Sequence, residues 1–159
     1  MTDGFRDRAS FSNEDCSVAR THAIVGERWT MLVLREAFLG VRRFDAFQRN
    51  IGVARNILAA RLRRLVEHGI MERRKYQDHP PRYEYRLTEA GIDLYPVVLA
   101  LLEWGDRHVP SPDGAPVLLV HKGCGHRSSP VLACSACGER VTARDMRAEA
   151  GPGAVLARA

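Results

Sequence analysis

Between Glu27 and Leu39 the chain carries apolar side chains at helical spacing on two sides: Trp29, Leu32 and Val33 on one, Met31, Leu34 and Phe38 on the other. A helix apolar on both sides has no face to offer water, so this one must run through the centre of its domain. Gly40 is placed to end it. The neighbouring segments read as its enclosure. Ser17–Val25 is a shorter helical pattern halted by Gly26, and a third helix is expected over about Arg43–Asn50, with Phe44 and Phe47 inward. The turn Ile51-Gly52-Val53 leads to a fourth helix, Ala54–His68, which Gly69 stops. Two short strands, Ile70–Tyr76 and Arg82–Leu87, flank a loop marked by Pro80 and Pro81. Thr88 can cap a last helix reaching about His108, with a kink expected at Pro96. This order of elements predicts a mainly α fold with a small β wing, a winged helix-turn-helix.

At 159 residues there is room for one ordinary domain and a small appendage. The expected division is a flexible lead-in (1–14), the helical domain (15–108), a Pro/Gly linker (109–116), a small module (117–147) and a disordered tail (148–159). No internal repeat is expected. The apolar runs fall far short of the ~20 residues that span a bilayer. The N-terminus mixes acids and bases without an apolar core, so neither membrane nor export is expected, and the cytoplasm is the default.

A net charge of +5 is a weak pointer to an anionic partner; the placement of the charges says more. All but two (Lys75, Lys122) of the 24 basic residues are arginine, the side chain suited to bidentate contact with phosphate and guanine. In the fourth helix Leu58, Leu62, Leu65 and Val66 share a face that packs on the central helix. Asn56, Ala60, Arg63 and Glu67 occupy the opposite face, Ala59 and Arg64 flank it, and Arg55 sits in the first turn. Small residues let a helix enter the major groove of double-stranded DNA, while Asn and Arg donate to base edges. The alternative is an ordinary solvated charged face. It loses ground to the neighbours: a tight glycine turn before the helix and an Arg-rich hairpin after it. Arg73, Arg74, Lys75 and Arg82 around His79 suit the phosphate backbone, as do Arg42 and Arg43 at the start of the third helix.

Several short runs lie in one register over about residues 14–108. They are Cys16-Ser17-Val18-Ala19, Gly26-Glu27-Arg28-Trp29-Thr30, Arg43-Phe44, Leu58-x-x-Arg61-Leu62, Pro81-Arg82-x-Glu84-Tyr85-x-Leu87-Thr88-x-x-Gly91 and Trp104-Gly105. In these the chain resembles the HxlR-type winged-helix regulators, which are MarR-like bacterial transcription factors. The resemblance implies a non-enzymatic transcription regulator, a repressor or dual regulator, that acts as a homodimer on an inverted repeat. It also implies a dimer built by the first and last helices. The last helix carries more apolar surface (Leu94, Val97, Val98, Leu101, Leu102, with Ile92, Tyr95 and Leu99) than one small core buries. One departure stands out: Ala54 holds the capping position where the family usually has Ser.

Cys16 lies at the start of the first helix, where the helix dipole favours thiolate and Arg20 is one turn away. Asp15 and Glu14 oppose that effect. In part of the resembled family a cysteine here senses oxidants, electrophiles or quinones; an inert, half-buried thiol is the other reading.

Beyond the linker, His121-x-x-Cys124-Gly125 and Cys134-x-x-Cys137-Gly138 have the shape of a zinc ribbon. Four N/S ligands suit a tetrahedral structural Zn2+ and leave no open position for catalysis. His126 is an alternative to His121, and a metal-free hairpin with reduced cysteines stays open. Two other functions compete. A thiol redox enzyme using Cys134-x-x-Cys137 needs a βαβ context that is absent from the sequence. A zinc-ribbon adaptor that binds protein would use the helical domain only for dimerisation.

Overall fold

The computed structural model describes residues 16–149 and 151–152, in six helices and one two-stranded sheet. The expected lead-in and most of the expected disordered tail lie outside the described residues. The chain divides into two units, residues 21–104 and the segments on either side of them.

Within 21–104 the core is formed by Val25, Val33, Leu34, Phe47, Val53, Leu58, Leu62, Leu65, Ile70 and Met71, all buried. Helix α1 spans Ser17–Val25, α2 Thr30–Phe38, α3 Phe44–Ile51 and α4 Arg55–Glu67. The central helix starts three residues later than its apolar pattern suggests. Glu27, Arg28 and Trp29 form a turn instead, with Thr30 N–H bonded to the Glu27 carbonyl at 3.0 Å. The reason lies in α4, where Arg61 forms an ion pair with Glu27 and Arg64 donates to the Ala23 carbonyl at 2.6 Å. Two arginines of α4 thus pin the corner between α1 and α2. Arg64 faces this corner and does not flank the outer face of the helix.

Buried in α2 is Glu36, a carboxylate that the apolar pattern conceals. Its Oε1 accepts from the Arg35 guanidinium at 2.7 and 3.0 Å, and its Oε2 accepts from Asn50 Nδ2 at 2.7 Å. An isolated buried carboxylate is strongly disfavoured, whereas one with both oxygens occupied is tolerated and geometrically exacting. Here it fixes α3 against α2.

Strands β1 (Met71–Gln77) and β2 (Arg82–Leu87) pair antiparallel, Met71 opposite Leu87 and Arg74 opposite Glu84, with an irregularity between Lys75 and Gln77. Thr88 then does double duty. Its Oγ1 accepts from Gly91 N–H at 3.2 Å, capping the short α5 (Glu89–Ile92), and donates to the Gly69 carbonyl at 2.6 Å. Gly91 is buried against the Ile70 carbonyl, and a β-carbon there would collide with that oxygen. The Leu-Thr-x-x-Gly run is therefore a docking joint between the hairpin and α5. The last helix is not one kinked rod. The break falls at Asp93–Leu94, and Pro96 sits in the first turn of α6 (Tyr95–His108), where its missing N–H costs nothing.

Outside the helical unit, the segment 117–149 contains no buried residue; Val117, Leu119, Cys134 and Val141 are only half-buried. Its regular contacts are two isolated bridges, Val120 to Arg127 and Ala133 to Arg140.

Candidate nucleic-acid interface

Helices α3 and α4 are joined by the tight turn at Gly52, whose backbone is left-handed (φ 70°). Leu58, Leu62 and Leu65 bury one face of α4, so its other face must point outward. Arg55, Asn56, Ala60, Arg63 and Glu67 are exposed there, while Ala59 is half-buried at the margin. Ala54 caps the helix with extended backbone and no side-chain hydrogen bond. Arg55 is held in the helix-turn-helix itself: its guanidinium lies 4.7 Å from the Phe44 ring and 3.6 Å from an Asp45 oxygen.

The wing and α3 are physically joined. Tyr85 N–H donates to the Arg42 carbonyl at 2.8 Å, and Arg43 bridges to Glu84, so the chain entering α3 runs as a third, short edge of the sheet. Arg43 is the residue before α3, with extended backbone. Its guanidinium stacks on Tyr76, 5.0 Å from the ring centre, and Arg73 stacks on Tyr83 at 3.6 Å. Both arginines are thereby held at fixed places on an otherwise mobile type of side chain.

The basic residues of the wing are not equivalent. Arg74 pairs with Glu72 at 2.7 Å and Lys75 with Asp78 at 2.8 Å; on β2, Arg86 pairs with Glu84 at 2.7 Å. Arg42, Arg63 and Arg82 are exposed and have no acidic partner among the described residues, and His79 is exposed on the loop. Sequence reasoning missed Tyr76 and Tyr83 as platforms, because tyrosine in a strand is ordinary. It also missed the Glu36–Asn50 bond; a carboxylate inside a two-sided apolar helix was the available signal.

Cys16 is half-buried immediately before α1, its carbonyl accepting from Arg20 N–H at 3.0 Å. The Arg20 guanidinium donates to Ser17 Oγ at 3.0 Å. In the C-terminal segment, His121 Nδ1 lies 3.2 Å from Cys124 Sγ. The backbone N–H groups of Cys137 and Ala136, then the Cys137 thiol, hold the Cys134 thiol below the usual range. The four expected metal ligands stand as two pairs. Among the described residues no three His, Cys, Asp or Glu side chains are gathered into one metal-sized cluster. The expectation of no internal repeat fails here. The hydrogen bonds His121 N–H to His126 O, Gly125 N–H to His121 O and Ser128 N–H to Leu119 O recur, thirteen residues on, as Cys134 to Glu139, Gly138 to Cys134 and Val141 to Leu132.

A buried three-helix core, an outward α4 behind a tight turn and a charged two-stranded wing tied to α3 define a winged helix-turn-helix module. The chain belongs to the HxlR-like helix-turn-helix family, which it matches over residues 24–113. It is 52% identical over 137 residues (86% of this chain, 87% of the other) to an uncharacterized HTH-type transcriptional regulator of Mycobacterium tuberculosis, Rv3095. That match is longer than everything up to Asp113, so it runs on into the C-terminal segment. Among solved structures, PA1607, described as a candidate transcription factor, covers 84% of this chain and 94% of its own at 39% identity and a TM-score of 0.75. The redox regulator HypR covers 58% of this chain and 97% of its own at 35% identity and a TM-score of 0.55. The protein is a transcriptional regulator with a helix-turn-helix DNA-binding domain. No helix among the described residues is long and apolar enough to cross a membrane.

Proposed function

We propose that the chain binds an inverted-repeat operator as a homodimer, with α4 in the major groove and the wing on the flanking backbone, as a repressor or dual regulator. The observation that carries this is the outward face of α4: Asn56 and Arg63 are exposed one turn to either side of Ala60, with no apolar side chain larger than its methyl between them. Ala60 allows close approach, Asn56 suits adenine and Arg63 suits guanine. Arg55, held by Phe44 and Asp45, lies where it orients the first turn and reaches phosphate. Arg42, Arg43, Arg73 and Arg82 supply the backbone contacts, with Arg74, Lys75 and His79 at the wing's edge.

The dimer reading rests on α6. Val97, Leu101 and Trp104 follow one another at i, i+4 and i+7 and are 40%, 52% and 60% exposed. Exposed apolar area of that extent gains from removal from water, and a second copy provides this symmetrically. Two recognition helices would then meet half-sites about 10–10.5 base pairs apart, or a multiple of it.

Response to oxidants or electrophiles through Cys16 is the finer part of the proposal. It is supported by the half-buried thiol ahead of α1 and by the likeness to HypR, itself described as a redox regulator.

The test is a mobility-shift titration and footprint on the promoter region of the chain's own gene. Replacing Asn56 or Arg63 by Ala should weaken specific binding by about 1–3 kcal/mol each, roughly five- to 150-fold, and relax preference at one base position. Undiminished binding by the double variant would remove α4 as the reading helix. Repeating the titration after treatment with a thiol oxidant should change affinity for the wild type and not for Cys16→Ser; equal responses would remove Cys16 as the sensor.

A further inference from the structure

The segment after the linker poses a physical problem. Over residues 117–149 no side chain is buried, and Leu118, Val120, Val131, Leu132 and Met146 are all more than half exposed. Segments of this size hold no fold on apolar burial alone and depend on a staple. Yet the backbone is highly regular: two turns share one hydrogen-bond frame at a spacing of thirteen residues, each with a left-handed glycine (Gly125, φ 72°; Gly138, φ 77°) and each closed by an isolated bridge between its flanks, Val120 to Arg127 and Ala133 to Arg140.

What the two turns have in common is not bulk but ligand chemistry. The first turn holds His121 and Cys124, with Nδ1 and Sγ 3.2 Å apart. In the second, Cys134 and Cys137 stand at the same two places thirteen residues on, Cys134 N–H bonded to the Glu139 carbonyl and Gly138 N–H to the Cys134 carbonyl as His121 and Gly125 are in the first. The glycine after each pair lets the backbone close beneath the ligands without a side chain in the way.

From the duplicated turn we infer that His121, Cys124, Cys134 and Cys137 form one structural zinc site, each turn contributing two ligands and the ion drawing the two turns together. Three thiolates and one imidazole make a closed tetrahedral set with no position left for substrate. The thirteen-residue frame also decides between the two histidines. His121 occupies the place of the ligand Cys134, whereas His126 corresponds to Glu139 and serves through its carbonyl, which accepts from His121 N–H. Binding converts three thiols to thiolates and releases their protons, so occupancy falls in acid.

The experiment uses the full chain, purified under reducing conditions. Elemental analysis should find about one zinc per chain, and stripping the metal and adding Co2+ should give the visible bands of tetrahedral cobalt with thiolate-to-cobalt charge transfer. His126→Ala should keep the metal; His121→Ala should lose most of it at limiting zinc. His121→Cys should retain it and intensify the charge-transfer band, because a fourth thiolate replaces the imidazole. That variant keeps the question open to test should His121→Ala fail to fold. Less than about a tenth of a zinc per chain, with no cobalt spectrum, would overturn the site. Metal loss in His126→Ala but not in His121→Ala would overturn the ligand assignment.

Discussion

At the residue scale the chain shows where a helix-turn-helix tolerates weakness. Ala54 leaves the first N–H groups of α4 without a side-chain acceptor, although its backbone already has the extended geometry of a capping residue (φ −60°, ψ 142°). Ser at this position is sterically prepared to accept from the N–H of Asn56 or Ile57. Ala54→Ser should therefore stabilise the folded domain by about 0.5–2 kcal/mol, read as a higher denaturant midpoint at unchanged slope. An unchanged or lower midpoint would show that another group already satisfies those donors. The buried Glu36 is the opposite case: local chemistry is complete, with Arg35 on one oxygen and Asn50 on the other. The helix pair that presents α4 is thus set by a fully occupied carboxylate, while the cap of α4 itself is left open.

At the element scale, most of the architecture was legible because each element carries its own period or stop. The leucines of α4 recur at helical spacing, and the hairpin is bounded by glycine before it and prolines within it. What was illegible depended on a partner distant in sequence. Arg64 looked like a flank of the outer face until the Ala23 carbonyl was seen to take it, and the start of α2 yields to the Arg61–Glu27 pair. Pro96 suggested a kink; the chain broke two residues earlier, and proline became a helix start. The duplicated turn was legible only in part: Cys124-Gly125-x-Arg127 recurs as Cys137-Gly138-x-Arg140, whereas His126 answers to Glu139 and Ser128 to Val141, so there the frame recurs in the backbone alone. The exposed apolar stripe on α6 gives the element-scale prediction. Leu101→Glu places a charge at the middle of Val97, Leu101 and Trp104, where a dimer would desolvate it. Sedimentation should show a dimer for the wild type and a monomer for the variant, with operator affinity reduced at least tenfold and helical content retained. A wild-type monomer, or a variant dimer, would send the stripe back to another role.

At the scale of the whole molecule, the net charge of +5 matters less than which arginines are already neutralised. Arg74 and Lys75 lie against Glu72 and Asp78, whereas Arg42 and Arg82 face solvent without an acidic partner among the described residues, and Arg43 and Arg73 are seated on tyrosine rings. Counterion release counts phosphates newly neutralised by the protein, and a cation that is already paired adds little to that count. A dimer using Arg42, Arg43, Arg73 and Arg82 from each copy would make about eight such contacts. Its affinity should then fall by about 10³–10⁵ between about 50 and 200 mM salt. The discriminating comparison is between two wing arginines. Arg82→Ala, lost from both copies, should flatten the logarithmic salt slope by about two, because each contact contributes roughly 0.9. Arg74→Ala should leave the slope nearly unchanged, since it removes a charge whose field Glu72 already cancels. Equal effects from both variants would mean that DNA pulls Arg74 away from Glu72, so that the intramolecular pairs of the wing do not select its phosphate contacts.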